Sequence, residues 1–245
     1  MKIDTYVISL PRATERRLHV TQTYNRFVEN LRLIDAVDAR DFTPPQILAM
    51  IEPERRGWSN YLRAGAVCCA LSHIKAYREF LSSGADRCLI LEDDAELVVR
   101  KTLFEEVLHR AAQTDFDVIC LNSFSLSETT LKHTADIYGG IGLYVGADEQ
   151  LPGSGLSYLL SRRAAEQIIR YQNPIKDAAD AWSSFSNATG VRVAFLKPDL
   201  FEPFNFESTI DYTGKTLAKR LAPKLLRDLR RWLIHRKMKK NVLFK

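Results

Sequence analysis

Three consecutive carboxylates, Glu92, Asp93 and Asp94, end a short apolar run in the stretch RCLILEDD, residues 87–94. Neighbouring like charges repel and are costly to bury without partners, so a bound divalent cation would make such a cluster favourable. Carboxylate oxygens suit Mg²⁺, Mn²⁺ or Ca²⁺ better than zinc, and a magnesium-like ion keeps coordination positions that substrate phosphates usually fill. Because side chains alternate along a strand, Glu92 and Asp94 are expected on one face, and Asp94 with Glu92 or Asp93 would hold the ion. The cluster therefore predicts a cation site that binds a diphosphate, with a solvated turn as the alternative.

Basic side chains follow the first apolar run of the sequence. The segment SLPRATERR, residues 9–17, places Arg12, Arg16 and Arg17 beside the start of a helical pattern. Backbone N–H groups at a helix start and guanidinium groups both attract anions. Together with the acidic cluster, these arginines indicate a nucleotide diphosphate bridged by a metal, and the alternative is the solvated basic face of a helix.

Apolar periodicity predicts an α/β fold in which strands are separated by helices. Strands are predicted at residues 3–10, 31–34, 88–91, 116–121, 157–160 and 191–195, and helices at 47–51, 64–82, 103–112 and 161–171. A further helical pattern follows Pro11 and runs to Leu31, and the Gly-rich residues 139–155 suggest loops or a small hairpin. Ligands of open α/β sheets bind beyond the carboxyl ends of the strands, where residues 92–94 fall.

The composition fits a globular protein with a sizeable core. The 245 residues are 46% apolar and 27% charged, which is typical of one large or two small domains. No stretch approaches the roughly 18 to 20 uncharged apolar residues of a membrane-spanning helix, and Asp4 stands where a secretory leader would be apolar. We therefore expect a cytoplasmic protein.

The four cysteines lie inside apolar segments, at Cys68, Cys69, Cys88 and Cys120. They lack the CxxC spacing of zinc or redox sites. We therefore expect all four to be small buried hydrophobic side chains.

The net charge of +5 is unevenly distributed along the sequence. Residues 215–245 carry twelve Lys or Arg and one acid, whereas residues 1–214 carry 23 basic and 29 acidic groups. Apolar residues, Trp232 among them, recur in the basic segment every three to four positions, which predicts a basic amphipathic helix lying on an anionic membrane surface. We expect a catalytic body, 1–214, and a membrane-associating tail, 215–245. A terminal helix packed on the body is the alternative, and the negative body argues against a nucleic-acid partner.

Several blocks of the sequence resemble, in order, those of a known family. They are IDTYVISLPRATERR (residues 3–17), IDAVD (34–38), GAVCCALSHIK (65–75), LILEDD (89–94), GLSYLLSR (155–162) and ESTI (207–210). They look like the successive blocks of glycosyltransferase family 25, enzymes of lipopolysaccharide or lipooligosaccharide biosynthesis that are related to the collagen galactosyltransferases. Cys68 departs from the family, which often has glycine there, and the family's acidic residue is blurred in KDAADAW, residues 176–182.

The resemblance implies a GT-A-like nucleotide-sugar-binding fold, a mixed sheet flanked by helices. It also implies a UDP-sugar donor, most often UDP-galactose, and an inverting transfer assisted by Mn²⁺ or Mg²⁺, with Asp94 and Glu92 as metal ligands. The acceptor would be a lipid-linked oligosaccharide at the inner face of the cytoplasmic membrane. Donor-binding residues are expected in the matching blocks, at Ser9, Leu10, Arg12, Arg16, Arg17, Asp35, Ser72, Glu92, Asp93, Gly155 and Ser157.

An inverting transfer needs a base that takes the proton of the acceptor hydroxyl. Asp180 and Asp177 are the first candidates, and acids at an exposed helix N-terminus are the alternative interpretation. His73 is the third candidate, although a hydrogen-bonded helix histidine gives the same pattern.

The segment PGSG, residues 152–155, would let the backbone approach a sugar on which Tyr158 or Trp182 stacks. An ordinary turn has the same composition. We expect a metal-dependent hexosyltransferase acting on lipopolysaccharide or lipooligosaccharide. The rivals are a nucleotidyltransferase, which usually has a Gly-rich loop after its first strand, and a membrane-recruited protein that binds sugar nucleotides without turnover.

Overall fold

A computed structural model describes residues 1–28, 30–56, 62–123, 131–147, 151–204 and 206 of the chain. Its contacts separate Met1–Phe206, as one compact unit, from Glu207–Lys245. The predicted basic tail, 215–245, and the last family-like block, 207–210, lie outside the described residues. The proposed division after residue 214 therefore stays a prediction.

The described residues contain ten β-strands and six α-helices, besides two single-turn 3₁₀ helices. The strands are β1 (Ile3–Ser9), β2 (Leu31–Asp35), β3 (Arg87–Glu92), β4 (Ala95–Leu97), β5 (Val118–Cys120), β6 (Leu131–Tyr138), β7 (Ile141–Gly146), β8 (Ser157–Ser161), β9 (Val193–Lys197) and β10 (Phe201–Pro203). The helices are α1 (Thr14–Tyr24), α2 (Pro44–Met50), α3 (Ala64–Ser82), α4 (Lys101–Ala112), α5 (Arg162–Tyr171) and α6 (Trp182–Thr189). Within this described part, no helix is both long enough and apolar enough to cross a bilayer.

Eight strands form one mixed sheet in the order β2-β1-β3-β8-β5-β9-β7-β6, and β4 pairs with β10. β1 is parallel to β2 and β3, whereas β8 is antiparallel to its neighbours β3 and β5. The predicted mixed sheet flanked by helices is confirmed. The carboxyl ends of β1 and β3 meet the amino end of β8 at one edge, where Ile8 pairs with Glu92 and Leu91 pairs with Ser157.

The central strand β3 is buried on both faces. Its residues 88–91 are fully buried, which explains why this strand reads as an unbroken apolar run rather than an alternating one. On one face, Tyr77 and Phe80 of α3 share a core cluster with Tyr6 and Ile90. Full burial of side chains of this size stabilises the fold by about 1.5–3 kcal/mol each, so α3 and β3 hold each other in place.

The elements that the sequence does not predict are mostly those with weak apolar patterns. β6 is almost wholly exposed, and it forms a hairpin with β7 through Gly139 and Gly140, whose φ values are +57° and +82°. Glycine suits such a two-residue turn because both central positions need positive φ. The short β4 and β10 and the helix α6 were also not predicted, and α1 ends at Tyr24 although the apolar pattern continues to Leu31.

Candidate functional site

The chain turns immediately after β3. The strand ends at Glu92, and Asp93 and Asp94 form the turn that leads to β4. The alternation of strand faces expected across all three carboxylates therefore stops at Glu92. The Glu92 N–H donates to the Leu156 carbonyl at 2.9 Å, which fixes the strand end, and the turn brings Asp93 and Asp94 to the same arginine, Arg16.

Asp93 is fully engaged by side chains from β1 and α1. Arg16 Nη1 donates to Asp93 Oδ1 at 2.5 Å, and Ser9 Oγ donates to Asp93 Oδ2 at 2.6 Å. All three residues are buried, and hydrogen bonds between ionised partners are the strong ones. Because both carboxylate oxygens already accept hydrogen bonds, Asp93 orients Arg16 and is a poor metal ligand. Of the two partners predicted for Asp94, the contacts favour Glu92.

Asp94 lies in surroundings that suit a bound cation. Its Oδ1 is buried and has no hydrogen-bond partner among the described residues, while its Oδ2 lies 3.5 Å from Arg16 Nη1. Burial and the nearby Glu92 carboxylate raise the pKa of Asp94 to about 7. A buried acceptor without a partner costs about 1–3 kcal/mol, which a cation shared by the two carboxylates would offset. The residues therefore fit a hard divalent cation held by Asp94 and the partly exposed Glu92.

Arg12, in the loop after β1, and Arg17, in the first turn of α1, are paired with carboxylates at and just after the end of β2. Arg12 donates to Asp38, and Arg17 donates to Asp35 and to the carbonyl of Leu10. The hydrogen bond from Arg17 lowers the pKa of Asp35. The Arg12 and Asp35 side chains are solvent-exposed, so a phosphate or nucleoside group has access to both pairs. Their role in donor binding stays a prediction.

His73 is held by a chain of two tyrosines. Its Nδ1 lies 2.6 Å from the Tyr158 hydroxyl, which lies 2.6 Å from the Tyr77 hydroxyl. Its Nε2 faces Glu92 Oε1 at 3.6 Å. Tyr158 is fully buried, so the prediction that Tyr158 stacks on a sugar is wrong, and its hydroxyl instead orients His73.

Two glycines let the loop before β8 approach the carboxylates closely. A Cβ at Gly155 would lie 2.9 Å from Glu92 Oε1, and a Cβ at Gly153 would lie 2.9 Å from Asp180 Oδ2. Real Cβ atoms essentially never come this close to another heavy atom. The backbone of this loop therefore lies directly against the side chains of Glu92 and Asp180.

The charge of Asp180 interacts with those of Glu92 and His73. Burial and the Glu92 carboxylate raise the pKa of Asp180, and His73 opposes that shift. An acid whose pKa is raised by burial and a neighbouring charge is a candidate for proton transfer. The structure thus brings together Glu92, His73, Asp180 and Gly155 near the carboxyl end of β3.

The loop before β8 is anchored by buried polar contacts. Ser154 Oγ donates to Asn122 Oδ1 at 2.8 Å, and the Trp182 indole N–H donates to the Ser154 carbonyl at 3.2 Å. Trp182 is 1% exposed, so the prediction that it stacks on a sugar is also wrong. Ser157, a predicted donor contact, is fully buried, and its hydroxyl has no partner within the part of the chain that the structure describes.

Two predicted site residues make contacts of a structural kind. Asp177 accepts a hydrogen bond from the Tyr171 hydroxyl at 2.6 Å and lies 3.8 Å from Arg55 Nη1. Ser72 Oγ accepts from the Val37 N–H at 2.8 Å and donates to a carbonyl of its own helix. Asp177 therefore ties the segment after α5 to a neighbouring loop, and Ser72 fixes the loop after β2 on α3. Asp180 is the better-placed of the two predicted acids for proton transfer.

Cys69 is a site neighbour that the sequence-based interpretation missed. The other three cysteines are buried as expected, but Cys69 is only partly buried. It lies close to His73 and Glu92, with their potential ligand atoms all within 4.8 Å of one another. The available signal was its position four residues before His73 on one helix, since such residues share a face.

The sequence matches a family and a curated relative. A family model described as glycosyltransferase family 25 (LPS biosynthesis protein) matches residues 2–182, a range that contains all the candidates from Ser9 to Asp180. Procollagen galactosyltransferase 1 of Danio rerio is 26% identical over 184 residues, which are 71% of this chain. The chain spans 29% of the length of that relative.

Two solved structures have a distant likeness to the fold. S. aureus TarS 1–349 is 12% identical, with a TM-score of 0.46, and the match covers 83% of this chain and 60% of that one. A Drosophila β-1,4-galactosyltransferase 7 mutant in complex with manganese, UDP-Gal and xylobiose is 10% identical, with a TM-score of 0.40, and the match covers 89% and 82%. Likeness at this level supports no functional conclusion.

Proposed function

The chain belongs to glycosyltransferase family 25, and from this premise we propose that it transfers a hexose, galactose in the first instance, from a UDP-sugar to lipopolysaccharide or lipooligosaccharide. The description of the family names lipopolysaccharide biosynthesis, and the relative from Danio rerio is a galactosyltransferase. The observation that carries the proposal is the buried oxygen of Asp94 that lacks a hydrogen-bond partner in the described part of the chain. It lies beside Glu92, at the edge where β1, β3 and β8 meet.

Asp94 and Glu92 would hold Mn²⁺ or Mg²⁺, because hard cations prefer carboxylate oxygens and leave positions for phosphates. When bound, the cation supplies Lewis-acid stabilisation of the charge that develops on the leaving diphosphate. Arg16, 3.5 Å from Asp94, adds a fixed positive charge at the same place. Arg12 and Arg17 bind the diphosphate or uridine by exchanging their present carboxylate partners for the donor.

Asp180 is the proposed general base. In an inverting transfer, the acceptor hydroxyl oxygen bonds to C1 of the sugar as the bond from C1 to UDP breaks, and UDP leaves with the bonding electrons. The hydroxyl proton passes to Asp180, whose raised pKa makes its carboxylate a stronger proton acceptor at working pH. His73, whose Nε2 lies 3.6 Å from Glu92 Oε1, is the alternative base.

The acceptor places the reaction at a membrane. We propose that the protein is cytoplasmic and peripheral on the inner face of the cytoplasmic membrane, where its lipid-linked acceptor is built. The twelve Lys or Arg and single acid of residues 215–245 support this location, because basic segments are attracted to anionic lipids.

A panel of UDP-sugars tests the proposal. UDP release is measured with Mn²⁺ or Mg²⁺, with and without deacylated lipopolysaccharide, for the wild type and for Asp94→Ala. We expect acceptor-dependent release from UDP-galactose that chelation and Asp94→Ala both abolish. If both leave the rate intact, the cation assignment is wrong. A wild type that binds UDP but turns over no UDP-sugar would indicate a binding protein, and pyrophosphate release from a nucleoside triphosphate would indicate a nucleotidyltransferase.

A further inference from the structure

A second set of ligand atoms lies beside the carboxylate pair. The sulfur of Cys69, a ring nitrogen of His73 and a carboxylate oxygen of Glu92 all lie within 4.8 Å of one another. Cys69 and His73 are four residues apart on α3, so the helix presents both on one face. Glu92 meets them from the end of β3, and its side chain is 35% exposed, which gives solvent access to the group.

His73 is oriented in the way that metal-binding histidines are. The ring of such a histidine is usually oriented by a hydrogen bond at the nitrogen that does not bind the metal. In His73 this nitrogen is Nδ1, which lies 2.6 Å from the Tyr158 hydroxyl. The other nitrogen, Nε2, is buried and has no hydrogen-bond partner among the described residues. Glu92 Oε1, 3.6 Å away, is beyond hydrogen-bond distance. A buried nitrogen left in this state is unfavourable, and ligation of a cation would satisfy it.

We propose that Cys69, His73 and Glu92 bind a borderline-soft divalent cation, represented by Zn²⁺, at a site that shares Glu92 with the Asp94 carboxylate pair. Thiolate, imidazole and carboxylate are the ligands of protein zinc sites, whereas Mg²⁺ and Mn²⁺ disfavour sulfur. A tetrahedral zinc with bonds of about 2.1 Å separates its nitrogen and oxygen ligands by about 3.4 Å. The distance from His73 Nε2 to Glu92 Oε1 is 3.6 Å, so these two atoms are already near that spacing.

The group has room for an ion because residue 155 is glycine. A Cβ there would lie 2.9 Å from Glu92 Oε1 and 3.5 Å from His73 Cε1. A side chain at Gly155 would thus press on Glu92 and come into van der Waals contact with His73. Three protein ligands also leave the fourth tetrahedral position open to water or to a substrate oxygen.

Because Glu92 belongs to both cation sites, zinc binding is expected to affect sugar transfer. Zinc bound by Cys69 and His73 takes Glu92 away from the cation that Asp94 needs. We therefore expect Zn²⁺ to inhibit sugar transfer in the presence of Mn²⁺. This inhibition rests on the proposed function, whereas zinc binding itself does not.

Cobalt binding tests the site without any sugar donor, because a cobalt–thiolate bond has a charge-transfer absorption that oxygen ligands lack. The reduced, metal-free protein is titrated with Co²⁺ in excess Mg²⁺, and Zn²⁺ is then added. We expect the absorption in the wild type, its displacement by Zn²⁺ and its loss in Cys69→Ser. The matched control is Cys68→Ser, the same substitution at the neighbouring buried cysteine, which keeps the absorption. Absence of the band in the wild type, or its persistence in Cys69→Ser, overturns the proposal.

A second variant and a second measurement make the test independent of how Cys69→Ser folds. Glu92→Gln keeps the shape of the side chain and should weaken Co²⁺ affinity by about tenfold or more, and an unchanged affinity overturns the proposal. At saturating Mn²⁺, Zn²⁺ should inhibit sugar transfer by the wild type and Cys68→Ser but spare Cys69→Ser. A protein that shows the cobalt band and transfers no sugar supports this site and contradicts the proposed function. A protein that transfers sugar but lacks the cobalt band supports the proposed function and contradicts this site.

Discussion

At the scale of single residues, the three adjacent carboxylates have unequal surroundings. Asp93 is neutralised by Arg16 and Ser9, whereas Asp94 has one buried oxygen with no partner among the described residues. Glu92 is partly open to solvent. The fold therefore neutralises Asp93 more completely than Asp94 or Glu92, and a bound cation would stabilise these two carboxylates further.

The pKa of Asp94 predicts a pH-dependent stability. Folding raises this pKa from 3.8 to about 7, so Asp94 stabilises the metal-free fold only while it is protonated. This contribution is complete below about pH 4 and is lost as the pH rises to about 7. Asp94→Asn cannot ionise, so its stability relative to the wild type should rise by on the order of 1–3 kcal/mol across that window. Chemical denaturation in chelator at several pH values measures the difference.

Asp136→Asn is the matched control, because that carboxylate is 95% exposed. It should show no comparable gain between about pH 4 and about pH 7. Saturating Mn²⁺ should remove the advantage of Asp94→Asn over the wild type. A constant difference between the wild type and Asp94→Asn at every pH would contradict the assigned environment of Asp94.

The same substitution at Asp180 and at Asp177 tests which of them is the general base. Asp180→Asn should lower the rate of sugar transfer by on the order of a hundredfold or more, whereas Asp177→Asn should lower stability, because Asp177 contacts Tyr171, and retain turnover. The wild-type rate should rise with pH through the raised pKa of Asp180, since only the ionised carboxylate accepts a proton. Rate–pH profiles of the three proteins test this, and full activity in Asp180→Asn would shift the assignment to His73.

At the scale of elements, the candidate site is formed by α3, the end of β3 and the loop before β8. The helix supplies His73, the strand supplies Glu92, and the loop brings its glycines against the carboxylates. Asn122 and Trp182 hold the loop through their hydrogen bonds with Ser154. The positions of the reacting groups thus depend on packing between elements that are distant in sequence.

Gly155→Ala tests the close approach of this loop. The added Cβ would lie 2.9 Å from Glu92 Oε1, the end of a flexible side chain, so we expect Glu92 to move while the fold keeps its stability within about 1 kcal/mol. Sugar transfer should fall by on the order of tenfold or more, because small displacements of positioned groups are costly. Gly84→Ala is the control, since nothing lies within 4 Å of a Cβ there, and it should leave transfer unchanged. Equal activity of both variants would contradict the close approach.

The elements with strong apolar periodicity are those that the sequence predicts well. The pattern over 64–82 coincides with α3, and the run at 88–91 lies inside β3, because burial on a helix face or in a central strand requires such patterns. β6 is mostly exposed and lacks the pattern, so its hairpin was anticipated only through the glycines of 139–155. Apolar periodicity in the sequence indicates burial, so it does not reveal a strand that lies at an exposed edge of the sheet.

The sequence predicts which residues belong to the candidate site, but it does not predict which of them contact one another. Glu92, His73 and Asp180 were each predicted as site residues, but their proximity to one another was not predicted. Which carboxylate of the LEDD stretch is free for a cation depends on Arg16, which arrives from another element. The burial of Trp182 likewise depends on tertiary packing, and no local pattern distinguishes a buried tryptophan from one that faces a sugar.

At the scale of the whole molecule, charge separates the two parts of the sequence. Residues 1–214 carry an excess of acids, and residues 215–245 carry twelve bases to one acid. A segment so basic is attracted to anionic lipid by about 1 kcal/mol per Lys or Arg near the surface. Membrane association is therefore expected to come from the tail and to weaken with salt.

Deletion of residues 215–245 should release the protein from anionic vesicles while turnover on a soluble acceptor is retained. Cosedimentation with vesicles that contain phosphatidylserine measures binding, and neutral phosphatidylcholine vesicles are the control. The full-length protein should bind the anionic vesicles alone, and less at high salt. Equal binding by the truncated protein would contradict a membrane role for the tail.

The central claim is that Asp94 and Glu92 hold a cation through which the donor nucleotide binds, and calorimetric titration of UDP tests it most directly. The wild type and the exposed-acid control Asp136→Asn should bind UDP at least about tenfold more tightly with Mn²⁺ than with chelator. Asp94→Asn with Mn²⁺ should bind UDP no better than the wild type in chelator. Equal UDP affinity in the wild type with and without Mn²⁺, and in Asp94→Asn, would contradict the claim.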